Sequence, residues 1–142
     1  MGRYEFLESV AIADCAVEVE GQDLDDLFAT AAGALAEVMV DPATVSATVE
    51  RTVTLAAPSL ELLLYDWLSE LIFLKDKEQL VFTRARVKVF REATPRLTAR
   101  LRGGRIDAEG VEPRSDAKAV TFHQFTLEPR GSGWRARVVI DI

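Results

Sequence analysis

The chain has 142 residues and a net charge of −6 from 17 basic and 23 acidic side chains, with 49% apolar and 28% charged residues. That is the size of one ordinary domain and the composition of a water-soluble globular protein, so a disordered tail, a collagen and a disulfide-held mini-protein are excluded. The single Cys15 and single His123 exclude an intrachain disulfide and Cys-rich or His-rich metal centres, and weigh against a Ser-His-Asp relay.

Met1-Gly2-Arg3-Tyr4-Glu5 turns acidic before the apolar core of a signal peptide could form. The longest nearly apolar stretch, Leu60–Leu74, falls short of the roughly 20 residues of a membrane span and carries Glu61, Asp66 and Glu70. One cytoplasmic domain over residues 1–142, without membrane contact, is expected. Charge is unevenly spread along it. Residues 1–83 hold 4 basic and 16 acidic side chains (net −12), whereas residues 84–142 hold 13 and 7 (net +6). Such asymmetry can mark a polyanion partner.

In chain order, Ile12–Glu20 alternates as a strand, with Ala13, Cys15, Val17 and Val19 on one side and Ile12, Asp14, Ala16, Glu18 and Glu20 on the other. Asp23, with Asp26 three residues on, fits an N-cap for an amphipathic helix over 24–40, which Asp41-Pro42 stops. Glu50–Leu55 reads as a strand. Pro58-Ser59 then opens a helix over Leu60–Leu74 that is apolar nearly all round, as a central core helix is.

The second half reads as strands: Val81–Phe90, Arg96–Arg102, Lys118–Glu128 and Gly133–Ile142, with Gly103-Gly104 as a candidate hairpin turn. Ala85, Val87 and Val89 alternate with Arg84, Arg86 and Lys88; Leu97, Ala99 and Leu101 with Thr98, Arg100 and Arg102; Trp134, Ala136, Val138 and Ile140 with Arg135, Arg137, Val139 and Asp141. The fold expected is α+β: a mainly antiparallel sheet with two helices on one face and a wet, basic outer face.

No glycine-rich phosphate loop, nucleophile elbow or His-x-x-x-His pair is present. One constellation stands out. The chain ends Val138-Val139-Ile140-Asp141-Ile142, an apolar strand running to the last residue, so Asp141 and the terminal carboxylate sit side by side. Asp14 lies on the polar side of the first strand. Should the first and last strands be neighbours, these oxygens repel unless a cation joins them, and hard oxygen donors select calcium or magnesium over zinc. The ordinary alternative is that Asp14 and Asp141 are solvated strand-end residues, or pair with Arg135 and Arg137. His123, between Phe122 and Phe125, reads as a packed strand histidine or a neutral-pH proton carrier. Cys15 reads as inert core filler.

At these residues the sequence resembles the archease family, over essentially the whole chain. The resemblance rests on Tyr4-Glu5-Phe6-Leu7-Glu8, Ala13-Asp14 ahead of Gly21–Phe28, Val38-Met39-Val40, Leu63–Ile72, Lys118-Ala119-Val120-Thr121-Phe122-His123 and the closing Trp134–Ile142. It implies a small cytosolic accessory protein, without a reaction of its own, for a GTP-dependent 3′-phosphate RNA ligase of the RtcB type in tRNA splicing and RNA repair. Such a protein promotes guanylylation and turnover of the ligase and reaches tRNA or other RNA through it. The resemblance also implies a divalent cation, calcium with magnesium or manganese as alternatives, held by Asp14, Asp141 and Ile142. His123 is a candidate accessory residue on its own chemistry, as a neutral-pH proton carrier. Many members read Glu-His-Thr-Ala-Asp around the early Asp; this chain reads Ala11-Ile12-Ala13-Asp14, with two extra residues after Glu8.

Two other functions follow from the residues. One is a chaperone-like or RNA-binding module working through Arg84, Arg86, Arg100, Arg102, Arg135 and Arg137 without a metal. The other is a hydrolase built on His123 with Asp66 or Asp116.

Overall fold

The computed structural model describes residues 2–7 and 14–142. Among these residues the elements run β1 (Arg3–Leu7), β2 (Asp14–Gly21), α1 (Leu24–Met39), β3 (Val49–Ala56), α2 (Leu60–Glu78), β4 (Leu80–Phe90), β5 (Arg96–Arg105), β6 (Ala119–Arg130) and β7 (Gly133–Asp141). The α+β class and its two helices are as expected from the sequence. The strands, however, divide between two antiparallel sheets, ordered β1-β2-β7-β6 and β3-β5-β4.

Each helix starts where a polar side chain can take up its free N–H groups. The Asp23 carboxylate accepts the Asp26 N–H at 2.8 Å, and the Asp26 carboxylate accepts in turn from the Gln22 N–H at 2.9 Å and the Gly2 N–H at 3.0 Å. The cap of α1 thus also fixes the approach to β1. Ser59 Oγ accepts the Leu62 N–H at 3.2 Å and opens α2. Such a cap is worth about 1 kcal/mol. Gln79, left-handed at φ 59°, ends α2 four residues beyond the apolar run, because Lys75 continues inward. Its ammonium donates to Asp116, to the Ala117 carbonyl at 2.8 Å and to Asp76 at 2.7 Å. Burial opposes the charge on Lys75, but the two carboxylates outweigh it and hold the ammonium above its usual range.

One apolar cluster joins both sheets to both helices. Leu27, Phe28 and Leu35 of α1 meet Leu63, Leu64, Trp67 and Leu68 of α2, Val17 and Val19 of β2, Leu97 and Leu101 of β5 and Ile140 of β7. Each fully buried leucine among them contributes about 2 kcal/mol. Trp67 is wholly buried, and its indole N–H donates to the Phe28 carbonyl at 2.9 Å, so α2 is keyed to α1 without an orphaned donor.

Gly103 and Gly104 do not make a turn. They lie inside β5, opposite Val49, Phe82 and Val81. A Cβ on Gly103 would stand 1.9 Å from the Val81 carbonyl oxygen, where the ladder shifts register between Phe82 and Arg84. The glycine serves a close strand approach at a bulge. β1 has no counterpart among the expected strands, and Ile12 and Ala13, expected to begin the second, lie outside the described residues.

Candidate functional site

The outward faces of the two sheets hold the candidate residues. On the four-stranded sheet, register places Arg3 against Glu20, Glu20 against Arg135 and Arg135 against Glu128. The next row sets Glu5 against Glu18 and Glu18 against Arg137. Arg3 Nε donates to Glu20 at 2.8 Å, and Arg135 donates to Glu18 at 2.9 Å. The Arg3 hydrogen bond holds the Glu20 carboxyl below its usual range. Arg135 therefore does not extend a basic face, because Glu18 of β2 bonds it. Arg137 lies opposite Glu18 in register, but its buried Nε has no hydrogen-bond partner among the described residues, and the outward rows rich in unpaired cations are those of the three-stranded sheet.

Further along that face lies the step Ala16–Val139, both fully buried, and beyond it Asp14 opposite Asp141. β2, the first strand expected from the sequence, and β7, the last, are thus direct neighbours, and their two aspartates share one face at a cross-strand position. Directly opposed residues have Cα atoms roughly 4.5–5.5 Å apart, and like charges there are destabilising. The backbone around Asp141 is tied down: its carbonyl accepts the Lys118 N–H at 2.7 Å, and Ala119 pairs with it from β6. Ile142 follows, half-buried with its side chain packed on the core. Asp141 forms no ion pair with Arg135 or Arg137 among the described residues. Nor do three His, Cys, Asp or Glu side chains converge there among those residues, so a cation at this place needs main-chain or terminal oxygens besides the two carboxylates. The segment that departs from Glu-His-Thr-Ala-Asp lies outside the described residues up to Ala13.

His123 is exposed, in a stretch of β6 where pairing with β7 breaks between Thr121 and Thr126 and Gln124 turns left-handed at φ 54°. Its backbone N–H donates to Thr121 Oγ1 at 3.3 Å. Among the described residues its imidazole bonds neither Asp66 nor Asp116, and Asp116 is engaged by Lys75. The pairing a hydrolase would use is not formed.

The same irregular stretch carries a cluster that the strand pattern alone does not suggest. Phe122 stacks on Tyr65 of α2 with centroids 4.1 Å apart, and Phe125 meets both rings edge-on at 6.2 and 6.0 Å. The signal is present in the spacing. Residues three apart in a regular strand face opposite ways, so Phe122 and Phe125 reach one side only through a bulge. Cys15 is half-buried against the core, and burial raises its thiol pKa, which keeps it unreactive.

Comparison with known proteins bears on the whole chain. The model of the Archease protein family matches residues 4–142. A protein archease of Methanosarcina mazei is 37% identical over 142 residues, covering 99% of this chain and 96% of its own. The solution structure of Methanobacterium thermoautotrophicum protein 1598 superposes with a TM-score of 0.80 at 35% identity, covering 98% of each chain. A Thermotoga maritima archease, described as a possible chaperone, has a TM-score of 0.63 at 20% identity, over 97% of this chain and 98% of its own, and so shares the fold.

Proposed function

This chain belongs to the archease family, and we propose that it is a cytoplasmic accessory protein, without a reaction of its own, for a GTP-dependent RNA ligase of the RtcB type. On this reading it serves tRNA splicing and RNA repair by promoting ligase guanylylation, and it carries a divalent cation, calcium first. The observation that supports the reading is the direct opposition of Asp14 and Asp141 across β2 and β7, with Ile142 beside them.

The donor set suits such an ion. Two carboxylates in register on one face are hard oxygen donors whose mutual repulsion a divalent cation would relieve. The packed Ile142 side chain would hold the terminal carboxylate as the third donor. Bound there, the ion would supply positive charge near the phosphates of the ligase's nucleotide. The chain's own contribution is placement. The Lys118 N–H, just ahead of β6, holds the Asp141 carbonyl, β2 brings Asp14 opposite, and the Ala16–Val139 step beside them is buried and apolar.

The test is ligase guanylylation measured with and without this protein. Asp14→Asn and Asp141→Asn, which keep side-chain shape and remove charge, are expected to reduce stimulation at least tenfold while leaving the unfolding transition in place. Calcium should raise the melting temperature of the wild type and of neither variant, because an ion that binds only the folded state adds about 2.7 kcal/mol at a hundredfold excess over its dissociation constant. Two alanines added after Ile142 should weaken that calcium effect. Full stimulation by both variants would overturn the reading.

A further inference from the structure

The outer face of the three-stranded sheet is built unlike its counterpart. Register sets Glu50 against Arg102 and Arg102 against Arg84 in one row, Thr52, Arg100 and Arg86 in the next, and Thr54, Thr98 and Lys88 in the third. Five cations face one carboxylate, in a chain whose net charge is −6. Two of the rows put arginine directly opposite arginine, an arrangement that destabilises a sheet unless something else occupies the charges. Nothing in the described chain does so. Arg84, Arg86 and Lys88 have no ion-pair partner among the described residues, Arg100 reaches Glu50 only at 3.9 Å, and Arg102 donates to the Ala47 carbonyl at 3.2 Å. Between these strands and Ala29 and Thr30 of α1 runs an open groove of about 640 Å³, lined by all four arginines.

We propose that this face binds the phosphodiester backbone of single-stranded RNA. Guanidinium groups match phosphate oxygens in paired hydrogen bonds, and successive outward residues along one strand stand roughly 6.8 Å apart, so the two arginine rows form a repeating ladder of anion sites. Thr52, Thr83 and Thr98 line the same surface with hydroxyl donors. An acidic protein is the weaker fit. Protein interfaces are anchored by buried aromatic and aliphatic residues, and the exposed large hydrophobics, Phe6, Phe73 and Phe122, lie on neither β4 nor β5. A nucleic-acid backbone draws its affinity from charge alone, and with no exposed aromatic on the face the bases go unread. The proposal is independent of the cation at Asp14 and Asp141.

The experiment is fluorescence anisotropy of a labelled 20-nucleotide oligouridine with the full chain between 50 and 300 mM salt. Binding is expected to weaken with a log–log slope of about −2, the value for three phosphates neutralised on a single strand. The double substitution Arg84→Gln/Arg100→Gln should weaken binding at least tenfold at low salt and flatten the slope by roughly 0.7 for each phosphate released. Asp14→Asn and a chelator should leave both quantities unchanged, which separates failure of this site from failure of the cation site. No binding at 50 mM salt, or equal binding by the double variant, overturns the proposal. So does displacement of the RNA by polyglutamate at matched charge, which would assign the face to an acidic protein instead.

Discussion

The four-stranded and three-stranded sheets present outer faces made by the same kind of strand, an apolar residue inward and a charged one outward, and they end up with opposite electrostatics. On the first, Arg3, Glu20, Arg135 and Glu128 alternate in sign across four strands. On the second, Arg84 faces Arg102 and Arg86 faces Arg100. The charge of a strand is therefore not the charge of its face. β7 is basic on its outward side, as β4 is, yet its Arg135 is matched because the chain topology lays acidic β2 beside it. Among the described residues β4 is an edge strand whose only strand neighbour is the equally basic β5. Matched rows contribute to stability; unmatched rows cost stability and keep charge available for a partner.

The largest effect should come from spoiling a matched row. Arg135→Glu removes the 2.9 Å hydrogen bond to Glu18 and puts a carboxylate between Glu20 and Glu128, three in one row. Loss of a charge-assisted bond at a site only about a quarter exposed, together with new like-charge neighbours, should destabilise the fold by about 2 kcal/mol. A urea titration checks this: the midpoint should fall with the slope unchanged, and a loss below about 0.5 kcal/mol would contradict the role given to the row.

The reverse experiment sharpens the comparison. Arg84→Glu converts an Arg–Arg pair into an Arg–Glu pair with Arg102, and should stabilise the protein by about 0.5 kcal/mol. That gain should shrink in high salt, which screens exposed charges. A destabilising outcome at low salt would mean that Arg84 already has a structural task within the fold.

Much of this is legible in the sequence, and the parts that are not share a cause. Local chemistry announces itself: the Asp23 and Ser59 caps, the apolar girth of α2 and the two-residue period of β4, β5 and β7 all correspond to observed elements. Asp14 and Asp141 stand out because each is a carboxylate on the polar side of an otherwise apolar strand. Pairing between distant strands is what local pattern cannot supply. The division into two sheets depends on which strands adjoin, as does the neutralisation of Arg135 by Glu18, 117 residues away in sequence. Gly103 resembles a turn residue because its reason, the Val81 carbonyl on a neighbouring strand, is likewise non-local. β1 is a five-residue strand with mostly exposed side chains, too short for its period to stand out.

The smallest expected effect concerns acid. Arg3 holds the Glu20 carboxyl below its ordinary range chiefly through its hydrogen bond; desolvation works the other way, and the charges of Arg3 and Arg135 add to the lowering. A carboxyl whose pKa is lower in the folded than in the unfolded chain contributes stability above the unfolded value, and that contribution disappears as pH falls through the folded value. Wild type and Arg3→Gln should therefore differ in denaturant midpoint at neutral pH and converge below the ordinary carboxylate range. Both partners are exposed, so the difference at neutral pH should be smaller than that of either substitution above and should fade with added salt. Arg84→Gln offers the contrast on the other sheet. With no carboxylate bonded to Arg84 among the described residues, its effect on the midpoint should not change across the same acid range, and a change there would show that the unmatched rows have acidic partners after all.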